Sequence, residues 1–176
     1  MDPLVWGATP EEHRRPYPAD DLVPDGLRLT RAIGVTAPTG LVWRWLCQIA
    51  VAPYSYDWID NWGRRSPQRL TPGADQLELG QTMAVVFRLV SFDAPHQWTG
   101  LTTPRGERLF GPVAMTFAAE PDGHGSRIVG RLVADTTGRL SRLRAHTLAW
   151  GDLVMMRRQF LNLKALAERD AVALGH

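Results

Sequence analysis

The chain has 176 residues, 44% hydrophobic and 22% charged, a size and composition suited to one domain with a full hydrophobic core. A formal net charge of +2 gives bulk electrostatics no pull towards nucleic acid, and a single cysteine, Cys47, excludes an intramolecular disulfide or a multi-cysteine metal site. No stretch approaches the roughly 20 apolar residues that span a bilayer, and the N-terminus lacks a positive start followed by an apolar run, so a cytoplasmic location is expected.

Residues 1–26 carry Pro3, Pro10, Pro16, Pro18 and Pro24, a spacing that argues against any regular helix and predicts an irregular, proline-rich arm. Leu4, Val5 and Trp6 are available to dock it on the body. Residues 27–176 read as a single domain. Leu27 to Val35 alternates as a strand does, and Thr39 is a plausible N-cap after Pro38. Val42, Trp45, Leu46 and Ile49 mark one face of a helix that ends before Pro53. Asp57 to Trp62 fits a short helical turn stopped by Gly63, followed by loop to Gly80.

The period then changes to two, predicting strands over 82–92, 97–103, 112–120 and 127–135. Asp93-Ala94-Pro95, Pro104-Arg105-Gly106 and the segment 122–125 supply the turns, and such short connections make antiparallel neighbours. A long helix closes the chain over Asp152 to about Ala171, starting as early as Ser141. Its apolar seam is Ala149, Leu153, Met156, Phe160, Leu163 and Ala167. The order predicts an α+β fold: a curved antiparallel sheet wrapped around a long C-terminal helix, with two short helices after the first strand. The space between such a sheet and its helix need not fill, which makes it the natural place for a pocket.

Chemistry-bearing residues concentrate in Leu41 to Pro67, which holds four of the 7 Trp and two of the 3 Tyr. Tyr54, Tyr56 and Trp58, with Asp57, Asp60, Asn61 and Trp62, read either as a pocket rim or as a structural corner in which Asp57 caps the short helix. Arg64 and Arg65 are solvated or paired to Asp57 or Asp60. On the terminal helix His146, Arg157 and Lys164 fall near the seam, either facing a pocket or sending their heads to water. Met156 on that seam would give an adaptable wall. Arg88 and Arg131 interrupt apolar strands and would anchor an anionic group if they faced inward. Trp98 and Trp150 are open between core and pocket. Arg28 and Arg31 on the first strand give only a weak nucleic-acid signal. The five His have no ligand spacing, so no metal site is expected, and no nucleophile elbow, P-loop or dinucleotide fingerprint occurs. Cys47 lies in an apolar helix, where burial raises a thiol's pKa.

Several segments carry a resemblance: Trp6-Gly7-Ala8-Thr9, Ala37-Pro38 with Val42 to Leu46, Ala52 to Pro67, and Gly151 to Gln159. With the element order, they make the chain similar to the START-like (SRPBCC) superfamily and its bacterial polyketide cyclase/dehydrase-like branch. The resemblance implies the helix-grip fold over 27–176 and a cavity between sheet and C-terminal helix. It implies binding of an apolar or amphipathic, lipid- or polyketide-like small molecule, without a cofactor. It supplies no shared catalytic motif, so catalytic residues and turnover stay open. The ligand-facing candidates are Tyr54, Tyr56, Trp58, Arg88, Trp98, Met156, Arg157 and Phe160. The alternative is a cyclase or aromatase using one of Tyr56, Asp57, Arg88, His146 or Arg157 for proton transfer or oxyanion stabilisation. A third reading is a lipid carrier making weak membrane-surface contact through the basic, apolar stretch Arg139 to Arg158, with Leu140, Leu143, Leu148 and Trp150. Oligomeric state is left open.

Overall fold

Seven strands and six helices make up the computed structural model, which describes residues 2–60 and 63–175. The strands are β1 (Val5–Trp6), β2 (Leu27–Val35), β3 (Thr82–Met83), β4 (Phe87–Asp93), β5 (Gln97–Thr102), β6 (Val113–Asp122) and β7 (Gly125–Ala134). The helices are α1 (Pro10–Arg14), α2 (Pro18–Leu22), α3 (Thr39–Cys47), α4 (Asp57–Asp60), α5 (Pro104–Phe110) and α6 (Arg139–Ala173). All seven strands join one sheet in the order β1-β2-β7-β6-β5-β4-β3, antiparallel except for the β1–β2 pair. Two short helices follow β2 and a long helix ends the chain, so the fold is the α+β helix-grip arrangement.

Period-two alternation sends Leu29, Phe117 and Leu132 to the inner face and Ala32, Val129 and Arg131 to the outer one. The inner face is covered by α3, with Val42, Trp45 and Leu46 wholly buried, and by α6. Gly130 of β7 lies directly beneath α6: a Cβ there would stand 2.5 Å from the Met156 methyl and 2.9 Å from the Phe160 ring. A side chain there would displace both, so the glycine lets helix and sheet approach closely at this point.

The outer face belongs to the N-terminal arm, which is not irregular. It contains β1, α1 and α2, and each helix begins with a proline at its first positions, where the missing N–H had no partner to lose. A Thr9–Glu12 capping box starts α1: the Thr9 hydroxyl accepts from the Glu12 N–H at 3.1 Å, and the Glu12 carboxylate accepts from the Thr9 N–H at 2.6 Å. Arg131 reaches from β7 to the other end of α1. Its guanidinium donates to the carbonyls of His13 (2.7 Å) and Arg15 (3.1 Å) and lies 5.0 Å from the centre of the Tyr17 ring. Arg131 is therefore a structural clamp on the outer face and not an inward anchor.

Other boundaries shift as well. The strand expected over 82–92 is broken between β3 and β4 by Ala84 and Val85, both left-handed (φ 43° and 68°). There the Ala84 N–H turns away to the Ile49 carbonyl at 3.1 Å. The expected turn at 104–106 is the first turn of α5, capped by the Thr103 hydroxyl. Pro38, not Thr39, occupies the cap position of α3. The last helix starts at Arg139 and runs 35 residues, about 52 Å at 1.5 Å per residue.

Candidate functional site

Beyond α3 the chain makes a single turn of 3-10 helix (Gln48–Ala50) and then runs along the flank of α6. Polar side chains of α6 hold its backbone there. Gln159 Nε2 donates to the Pro53 carbonyl (2.5 Å), Asn162 Nδ2 to the Tyr54 carbonyl (2.8 Å), and Arg169 to the Gln68 carbonyl (2.6 Å). At helical spacing these positions share one flank of α6, beside the seam. Gln48 ties the far end by donating to the Arg69 carbonyl at 2.9 Å.

Tyr54 is the bend in this strap. Its φ of 58° is left-handed, a conformation costing a tyrosine about 1–2 kcal/mol, and its surroundings enforce it. The Tyr54 N–H meets Ser66 Oγ at 3.3 Å, its hydroxyl donates to the Pro67 carbonyl at 2.9 Å, and its ring stands edge-on to Trp45 with centroids 5.9 Å apart. Burial, with the nearby Asp57 charge, pushes the phenol well above its ordinary pKa. Asp57 does not cap from outside the short helix. It is the first residue of α4, and its carboxylate accepts from the Ser66 N–H (2.8 Å) and hydroxyl (2.5 Å), closing the 54–66 loop.

Between this strap and the outward side of α6 lies a cleft of about 580 Å³. Its walls include Tyr54, Tyr56, Trp58, Asn162 and Leu166, and Arg65 and Arg158 line it without a carboxylate partner among the described residues. Trp58 is 76% exposed. The side chains of Asp60, Asn61 and Trp62, expected on the same rim, lie outside the described residues. A second cleft of about 310 Å³ on the arm is walled mainly by charged groups, among them the Glu12–Arg127 and Arg15–Glu120 pairs.

The remaining candidates do not join the aromatic cleft. Trp98 and Phe160 are wholly buried. Trp98 stacks on Phe117 at 4.8 Å, Phe117 meets Phe160 edge-on at 5.7 Å, and Trp98 Nε1 donates to the Leu46 carbonyl at 3.2 Å. With Met156 above Gly130, these rings pack together under the middle of α6, where the sequence placed a ligand. Arg88 is exposed on the outer side of β4, opposite Phe87 and Leu89. Arg157 is exposed with its guanidinium 5.8 Å from the Trp6 ring centre. Lys164 takes the edge position, donating to the Gly34 carbonyl (2.7 Å) and pairing with Glu168. His146 and Trp150 are exposed. Burial pushes the Cys47 thiol up to about 12, which leaves no thiolate at neutral pH. Among the described residues no three His, Cys, Asp or Glu gather as a metal site.

Arg31 faces inward from β2, contrary to its reading as a weak nucleic-acid contact. It is wholly buried, approaches Asp152 of α6 to 2.9 Å and donates to the Pro3 carbonyl at 2.7 Å. Desolvation dominates the pair. It pushes Asp152 up to about 6 despite the neighbouring guanidinium, and it lowers Arg31. A signal for the pair existed: Arg31 shares the inward phase of Leu29 and Val35, and Asp152 is the sole acid between Arg139 and Ala167.

No family model matches the chain, and no curated protein matches it. Solved structures do. The chain is similar to the di-domain ARO/CYC StfQ from the steffimycin biosynthetic pathway, with 13% identity and a TM-score of 0.54 over 88% of this chain and 53% of that one. A Rhodobacter sphaeroides protein is similar at 16% identity and TM-score 0.53, over 85% and 95% of the two chains. A Nitrosomonas europaea protein is similar at 12% identity and TM-score 0.51, over 82% and 96%. At these identities the likeness is one of fold, and it is the helix-grip fold that the sequence resemblance implied.

Proposed function

We propose that the chain binds a lipid- or polyketide-like amphipathic small molecule, its apolar body against Tyr56 and Trp58 and its acidic end towards Arg65 and Arg158. One observation carries this reading: the cleft beside α6 joins aromatic walls to two arginines that lack a carboxylate partner among the described residues. Its volume of about 580 Å³ is that of a small-molecule site. The site lies on the flank of α6 instead of beneath it, because Trp98, Phe117 and Phe160 occupy the interior.

The cyclase reading, which the ARO/CYC name of one structural neighbour invites, requires a proton-transfer group facing the ligand. In the cleft the Tyr54 hydroxyl is engaged by Pro67 and raised in pKa, Asp57 is engaged by Ser66, and Tyr56 lines the wall without a hydrogen-bonded base among the described residues. Binding without turnover is therefore the stronger reading.

Fluorescence titration with anilinonaphthalenesulfonate, an aromatic anion, tests it. Trp58→Ala and Arg158→Met are each expected to weaken binding roughly tenfold. Unchanged affinity in both variants would contradict the proposed site.

A further inference from the structure

The first half of α6 carries an exposed apolar stripe on the side turned away from the sheet. Leu140 is 71% and Leu143 67% exposed, and Trp150 and Val154 continue the line. At the helical period these four fall within about 80° of arc. The C-terminal end of α5 lies at the same end of the molecule, since Gly111 sits against Arg144 and the Asp135 N–H donates to the Pro112 carbonyl at 3.0 Å. That end adds the exposed Leu109 and Phe110.

Basic groups outnumber acidic ones around this stripe. Arg139, Arg142 and Arg144 lie along α6, and Arg105 and Arg108 along α5. The only acid from Arg139 to Val154 is Asp152, which is buried against Arg31. Glu107, Asp135 and Asp25, whose carbonyl accepts from Thr136, are acids at this end, and Asp135 is engaged by Thr137. We propose that the end formed by α5 and the first half of α6 docks on an anionic lipid surface, with the leucines and Trp150 entering the headgroup boundary and the arginines meeting the phosphates. The stripe is about 21 Å long, enough to lie along a bilayer surface. A second copy is the poorer occupant. Antiparallel pairing of two α6 stripes about their middle would bring Arg157 and Arg158 of one copy beside Arg139 of the other.

The full chain is co-sedimented with vesicles of phosphatidylcholine alone, and with vesicles of three parts phosphatidylcholine to one part phosphatidylserine, at low and raised salt. Binding is expected only to the anionic vesicles and is expected to fall with salt. The triple variant Arg105→Gln/Arg139→Gln/Arg142→Gln should bind roughly a hundredfold more weakly. Leu140→Ser/Leu143→Ser, at exposed positions that leave the fold intact, should lose binding with every arginine kept. Equal binding to both vesicle types, no binding to either, or a triple variant that binds like the parent would overturn the proposal. So would a dimer in sedimentation velocity that the leucine variant dissociates, which would assign the face to a second copy.

Discussion

Arg31 and Asp152 carry opposite charges into the space between β2 and α6, where water screens neither. Burial holds Asp152 at about 6, against an ordinary 3.8. The carboxyl therefore binds its proton more readily in the folded chain than in the unfolded one. Its contribution to stability is full below the ordinary value and is lost as pH rises through about 6. Urea midpoints measured between those two values should fall with rising pH, and Asp152→Asn should flatten that slope. Arg31→Met leaves the carboxylate alone and should lose about 3–5 kcal/mol at neutral pH, regained as the solution is acidified. The double variant Arg31→Met/Asp152→Leu removes both charges and should be neutral or more stable by about 1–4 kcal/mol. A double variant as weak as Arg31→Met would show that the pair itself holds the helix to the sheet.

At the scale of elements, the strap over 53–69 depends on α6 more than on its own aromatics. Gln159, Asn162 and Arg169 grip backbone carbonyls, and each such bond contributes about 1 kcal/mol to stability. Gln159→Ala/Asn162→Ala should leave the melting temperature lowered by only a few degrees. Limited trypsin digestion at Arg64 and Arg65 should nevertheless quicken markedly, because the loop's opening is local. Equal digestion rates would mean that the Asp57–Ser66 closure holds the loop unaided. The density of aromatics located this segment in the sequence, since Trp and Tyr at a helix end have few other uses. What held it was not legible: an amide on a helix flank looks like a solvated polar residue until the carbonyl it meets is known. The break at Ala84–Val85 and the helix α5 were hidden for a related reason. Both are set by long-range bonds, such as Ala84 to Ile49, that override an alternating local pattern.

At the scale of the whole molecule, two layers cover the sheet, and only one was visible beforehand. The seam of α6 and the alternation of the strands announced the inner layer. The arm's prolines instead suggested an irregular segment, because a proline reads as a helix breaker unless it falls at a first turn, as Pro10 and Pro18 do. Deleting residues 2–24 should uncover Val129 and Val133, strip Arg131 of its carbonyl partners and lower the melting temperature steeply. A truncated chain melting like the intact one would mean that the outer layer is dispensable. The expected ligand cavity was legible as a property of the fold, but whether its space fills depends on the rings that enter it, and Trp98, Phe117 and Phe160 pack together in the middle. The central claim, that the ligand site lies beside α6, is tested most directly by amide chemical-shift mapping during titration with anilinonaphthalenesulfonate. Shifts concentrated at Ser55, Tyr56, Asn162 and Ala165 are the predicted result, and shifts centred on Phe117 and Gly130 beneath the helix would contradict it.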